Sequence, residues 1–147
     1  MKEGLCPDMP FLVNDWLSST TIAAMTPAEE GAYIRLLAHA WNDPDCTLPD
    51  NDALLARLSR LGADWDQGAG KVLRAVFTPD PERPGRLFNR RQREVRAEQN
   101  RRIEDAKSHA RNAAHARWNK RNARALPEHC PSNAGGMLEG IDRKSDV

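Results

Sequence analysis

From Thr26 onward the apolar residues recur at helical intervals. Tyr33, Leu36, Leu37, Ala40 and Trp41 stand at i, i+3, i+4, i+7 and i+8, which is one face of an α-helix. Thr26, Pro27, Ala28 and Glu29 precede that face as a capping box with proline at the first helical position, so the pattern predicts a helix from Pro27 to Asn42. Asn42, Asp43, Pro44 and Asp45 are turn residues, and proline cannot continue the ladder. Upstream, Phe11, Leu12 and Val13 form a short apolar run that reads as an edge strand, with Asn14 or Asp15 capping a helical turn or two over Trp16 to Met25. Downstream, Thr47 and Leu48 predict a very short strand. Asp50 offers an N-cap, and Leu54, Leu55, Leu58 and Leu61 form the apolar face of a second helix that Gly62 ends at C′. A third helix follows Asp64. Gly68 and Gly70 weaken its first half by about 1 kcal/mol each relative to alanine, and Val72, Leu73, Val76 and Phe77 restore its apolar face.

Residues 78–86, Thr-Pro-Asp-Pro-Glu-Arg-Pro-Gly-Arg, cannot be helix. A strand at about 76–78, a turn over 80–85 and a return strand at about 86–89 predict a β-hairpin. Three helices followed by a hairpin is the order of a winged-helix domain. The fold class expected is therefore mainly α: a winged-helix-like domain over residues 9–89, with three helices and a hairpin wing, after a flexible leader at 1–8. Its expected core is Trp16, Tyr33, Leu37, Trp41, Leu54, Leu58, Leu73, Phe77 and Phe88. Residues 90–107 favour helix, but Val95 and Ile103 are nearly its only large apolar residues. That helix should be solvated and held by charge pairs of Glu94 with Arg91, or of Glu98 with Arg101 and Arg102. Residues 108–147 read as a basic, then mixed-charge, disordered tail.

Charge changes this picture more than composition does. The formal net charge of the 147 residues is only +1. Residues 1–89, however, hold 8 Lys/Arg against 13 Asp/Glu, a net of −5, while residues 90–125 hold 12 against 4, a net of +8. Residues 126–147 hold 2 against 4. An acidic body followed by a basic arm points to a partner that the arm attracts and the body repels, as a polyphosphate would be. The mean hydropathy of −0.72 and the lack of any run near the ~20 apolar residues of a membrane span predict a cytoplasmic protein without a signal peptide. Cys6, Cys46 and Cys130 form no CxxC pair, so reduced thiols are expected rather than disulfides or zinc.

Several separated blocks carry a family resemblance: N-D-W-L-S-S-T from Asn14, M-T-P-A-E-E-G-A-Y-I-R-L-L-A-H-A-W from Met25, L-P-D-N-D-A-L-L-A-R-L-S-R-L from Leu48, and P-G-R-L-F-N from Pro84. Together they span Met9 to about Asn89, and the stretch resembles the YdaU-like family of phage and prophage proteins. The resemblance implies a winged-helix-like domain in a bacterial or prophage setting, beside phage replication initiators, and it supplies no catalytic residue. The A-R-W-N-K-R around Trp118 is similar to the Arg-Trp tails that follow the domain in many members.

Chemistry-bearing motifs are few. There is no GxSxG, P-loop or HExxH, and His39 lacks a second ligand at i±4, so neither catalysis nor a cofactor or metal is expected. Asp43, Asp45, Asp50 and Asp52 lack calcium-loop spacing and read as turn and cap residues. Glu30 and Arg35, unused by the apolar stripe, are candidates for an exposed recognition feature. Nucleic-acid binding is the sharper expectation. A third helix in the major groove and a wing on the backbone would use Lys71, Arg74, Arg83 and Arg86, extended by Arg90, Arg91 and Arg93. The arm adds Arg101, Arg102, Lys107, Arg111, Arg117, Lys120, Arg121 and Arg124 along phosphates, with Trp118 stacking on an unpaired base. The alternative is a protein-interaction module that docks its acidic body on a replication partner, with Trp65 and Trp118 as anchors. Oligomeric state is left open by the sequence.

Overall fold

The computed structural model describes residues 8–125. Two compact units meet in sequence at Asp105 and Ala106. The first contains α1 (Val13–Ser18), α2 (Thr20–Ala23), α3 (Pro27–Asn42), β1 (Leu48–Pro49), α4 (Asp52–Ser59), a 3₁₀ helix (Gly62–Trp65), α5 (Ala69–Arg74), β2 (Thr78–Pro79), β3 (Arg86–Phe88) and the start of α6 (Arg90–Ala125). The chain is mainly helical, with one small antiparallel sheet in the order β1-β3-β2.

The capping box forms as the sequence predicts. Thr26 Oγ1 accepts from the Glu29 amide at 3.3 Å, and Glu29 Oε2 accepts from the Thr26 amide at 2.8 Å. The helix that follows buries Ala32, Tyr33, Leu36, Ala40 and Trp41. Leu36 joins Leu48, Leu55, Trp65, Leu73, Phe77 and Leu87 in the main core. The sheet is held in register by Leu48 opposite Leu87 and Thr78 opposite Phe88, so the middle strand sends Leu87 inward.

Four local expectations are corrected. Phe11–Val13 is not a strand: the Trp16 amide donates to the Leu12 carbonyl at 2.9 Å, and a helical turn brings the Trp16 ring onto Tyr33, stacked at 5.6 Å. Asn51, not Asp50, caps α4, its Oδ1 accepting from Leu54 N at 3.0 Å. That phase buries Leu55 and leaves Leu54 44% exposed, with Leu58 partly buried beside the core. The helix ends at Arg60, in the left-handed region with φ 68°, before Gly62 is reached. The third helix is divided into the 3₁₀ helix and α5, parted at Gly68 with φ 119°, and the buried Trp65 ring lies across Gly70: a Cβ there would stand 2.6 Å from the indole. Glycine at that point makes room for the largest side chain in the core. Finally, Phe88 is only partly buried, and its neighbour Leu87 takes the core position.

Asn89 joins the parts. Its Oδ1 accepts from Gln92 N at 2.9 Å and so caps α6, while its Nδ2 donates to Tyr33 Oη at 3.0 Å and to the Val76 carbonyl at 2.9 Å. The first turns of α6 are more buried than a charge-paired, solvated helix would be. Gln92 donates to the Leu37 carbonyl at 2.6 Å, Arg96 donates to the Trp41 carbonyl at 2.6 Å with its guanidinium over the indole, and Val95 packs on Trp41. Arg96 is a cation placed at the C-terminal end of α3, where carbonyls lack helical partners. The expected pairs Arg91–Glu94 and Arg102–Glu98 are present. In the second unit, residues 108–125 are helical and exposed, which corrects the expectation of a disordered tail from 108. Ala, Arg, Lys and Asn dominate that stretch, and helix propensity outweighs the missing apolar stripe. Residues 126–147 and the leader up to residue 7 lie outside the described residues.

Two predictions test this core. Leu55→Asp places an unpaired charge at a buried site and should abolish cooperative thermal unfolding, whereas Leu54→Asp should change stability by only about 0.5 kcal/mol. Asn89→Ala removes a cap and strands two buried polar partners, so urea unfolding should show a loss of about 2–4 kcal/mol.

Candidate nucleic-acid interface

The basic residues of the body that the sequence assigns to DNA lie near its sheet, and most face their own acids. Asp43, at the C-terminus of α3, organises the turn into β1. Its Oδ2 accepts from Asp45 N at 3.2 Å, Thr47 N at 3.3 Å and Thr47 Oγ1 at 2.9 Å. Its Oδ1 accepts from Arg86 Nη2 at 2.9 Å, and Arg86 Nε also reaches Thr47 Oγ1 at 2.8 Å. Burial works to raise the Asp43 carboxyl, but the Thr47 hydrogen bonds and the Arg86 charge outweigh it and hold the group below the usual carboxylate range.

Asp80, between β2 and the wing, has a fully enclosed side chain. Its Oδ2 accepts from Arg93 Nη2 at 2.7 Å and Arg83 Nη1 at 3.5 Å, and its Oδ1 from Glu82 N at 3.0 Å. The Arg93 hydrogen bond does most to lower its pKa. Arg83 also reaches Asp45 at 2.9 Å, and Arg93 lies 3.7 Å over the Phe88 ring. On the third side Arg74 pairs with Asp50 and, at 3.1 Å, with Asp52, which also accepts from Trp65 Nε1 at 3.1 Å. Arg91 pairs with Asp15 at 2.6 Å.

Arg74, Arg83, Arg86, Arg91 and Arg93 are thus each neutralised within the body. Lys71 and Arg90 are exposed and make no ion pair among the described residues. Asp43 has the turn role read from the sequence, and all four of these aspartates also accept from arginines, 43 residues away for Asp43 and Arg86, a pairing that local spacing does not reveal. Glu30 and Arg35 also have structural duties: Glu30 accepts from Trp16 Nε1 at 2.8 Å, and Arg35 donates to the Leu58 carbonyl at 3.4 Å. Trp65 is 4% exposed, which removes it as an anchor for a partner.

The arm is different. Arg101, Lys107, Arg111, Arg117, Lys120, Arg121 and Arg124 are all exposed on α6, as is Arg102 beside Glu98. Residues 106–125 hold six Lys/Arg and no Asp/Glu. Trp118 is 53% exposed, its ring 6.2 Å from that of His115. Among the described residues no cluster of His, Cys, Asp or Glu is placed to hold a metal ion, and no helix is long and apolar enough to cross a membrane.

The ion pairs give stability a pH dependence of definite sign. Asp43 and Asp80 have folded pKa values below the unfolded value of about 3.9, so the unfolded chain binds protons more readily and stability is lost as pH falls through that region. The melting temperature should hold above about pH 5 and drop toward about pH 3. Asp80→Asn should melt lower at neutral pH and show a shallower acid decline, read by circular dichroism.

Comparison with known proteins adds a family. Residues 7–95 match the family described as "Protein of unknown function (DUF1376)". No curated protein and no solved structure matches the chain. The matched span takes in every element from α1 to β3 and the anchored first turns of α6, well over half of the sequence. On that coverage, the chain belongs to the DUF1376 family.

Proposed function

We propose that this protein is a non-catalytic DNA-binding protein of phage or prophage type, acting in the cytoplasm in replication initiation or its control, and that α6 beyond the body is its DNA-binding element. The observation that carries the reading is the contrast in charge availability. Five arginines around the sheet are neutralised by aspartates and glutamates of the body, while Lys107, Arg117, Lys120, Arg121 and Arg124 face solvent on a stretch, residues 106–125, that holds no Asp or Glu. A polyanion gains from releasing counterions only where cations are available to replace them. The body supports a winged-helix-like reading through its order of helix, strand, helix, helix, strand, strand and its β1-β3-β2 sheet. In this protein that body holds its wing arginines inward. The phage and replication setting rests on the YdaU-like resemblance.

A second reading, a docking module, is favoured by Phe11, Leu12, Val13 and Leu17, which are large, apolar and 39–77% exposed. The two readings separate in one titration. Labelled random duplex should bind the full chain with micromolar affinity, and four phosphate contacts would weaken it about 100-fold between about 50 and about 200 mM salt. Exchanging all six Lys and Arg of residues 106–125 for glutamine should remove most of that binding and its salt slope, and exchanging Lys71 and Arg90 should change little. Failure of the full chain to bind at the lower salt would refute the DNA reading and leave docking.

A further inference from the structure

The cations of the exposed half of α6 are not spread around it. At about 100° per residue, Lys107, Arg111, Arg117, Lys120, Arg121 and Arg124 all fall within one half of the helix circumference. The other half carries no charge other than what His109 and His115 can take up, and along its middle run Ser108, Asn112, His115, Asn119 and Asn122, spaced four, three, four and three. These five lie within a sector of about 80°, and all are exposed. Asn119 and His115 are within hydrogen-bond reach of each other at 3.2 Å. An ordinary solvated helix has no need of such a stripe. Side-chain amides and imidazoles in a row are the groups that exchange donors and acceptors with base edges, asparagine with adenine above all.

The dimensions agree. Residues 106–125 span about 30 Å at 1.5 Å per residue, close to the roughly 34 Å of one duplex turn. Ala110, Ala113, Ala114 and Ala116 keep the helix slender, and the major groove, about 12 Å wide, admits a single α-helix. With the asparagine stripe toward the groove floor, Lys120 on one margin of the cationic half and Lys107 and Arg111 on the other lean toward the two flanking phosphate strands. Single-stranded nucleic acid is the poorer fit. Sequence-tolerant strand binding uses successive aromatic platforms along a groove, and apart from its two histidines this stretch offers Trp118 alone.

We infer that α6 from Ala106 to Ala125 binds duplex DNA by lying in the major groove, with Asn112, His115, Asn119 and Asn122 facing the base edges. The inference rests on the proposed DNA binding and adds the form of the nucleic acid, the groove and the reading residues.

The test uses the full chain throughout. Duplexes selected from a random pool are compared by anisotropy with unselected duplex, with their separated strands, and with the same duplex carrying glucosyl groups on cytosine C5, which fill the major groove. Asn112→Ala/Asn119→Ala is the variant, since alanine preserves the helix and circular dichroism checks that it has. The expected result is at least a tenfold preference for duplex over strand and at least a tenfold loss on glucosylation. The variant should lose about tenfold on the selected duplex and with it the preference over unselected duplex. Equal binding to glucosylated and plain duplex, equal binding to single strands, or a variant that still prefers the selected sequence would each overturn the groove assignment while DNA binding itself stands. Absence of binding to any of these DNAs at low salt would instead bring down the underlying reading.

Discussion

One buried amide side chain holds the body together. Asn89 stands where the hairpin ends and α6 begins, and its three hydrogen bonds reach the helix it caps, the Tyr33 hydroxyl on α3 and the carbonyl of Val76 after α5. An apolar residue could make none of these bonds, of which those with Tyr33 and Gln92 are buried and the one to Val76 partly so. Gln92 and Arg96, one and two turns further on, repeat the device by reaching back to carbonyls of α3. The attachment of α6 to the body is therefore polar and directional, where hydrophobic packing alone would have left the register of the helix loose.

The same economy governs the surface. Around the sheet Arg74, Arg83, Arg86 and Arg93 each have an aspartate in reach, and the aspartates in turn shape local turns: Asp43 gathers the backbone of residues 45–47, where Cys46 adopts a left-handed φ of 57°. Such pairs are partly exposed and individually contribute little to stability. Their collective effect is to pair the cations of the hairpin with acids of the body, whereas residues 106–125 hold six Lys/Arg and no Asp/Glu.

How much of this could be read from the sequence depends on the range of the interaction. The capping box at Thr26 and the apolar face of α3 are local patterns that stand where the spacing put them, and the proline-bounded hairpin forms with its first strand at Thr78–Pro79 in place of 76–78. Leu54 and Phe88 were expected in the core and lie toward solvent, because in short elements a shift of one residue turns a side chain through about 100° in a helix or to the opposite face of a strand. Asn89 against Tyr33, and Arg86 against Asp43, are contacts between distant positions that no window along the chain contains. For the candidate interface, the basic arm was visible as a charge count. The withdrawal of the wing arginines was not, since a count cannot distinguish a paired cation from an available one.

Helix α6 joins two stretches under unlike obligations. Up to about Arg96 nearly every turn is tied to the body, and the family match closes at residue 95. Over residues 106–125 every side chain is exposed, so substitutions there leave the core untouched provided that helix propensity is kept. Mutation can therefore explore new surface chemistry on the distal half at almost no risk to folding, and related chains can share one body while diverging in what they bind.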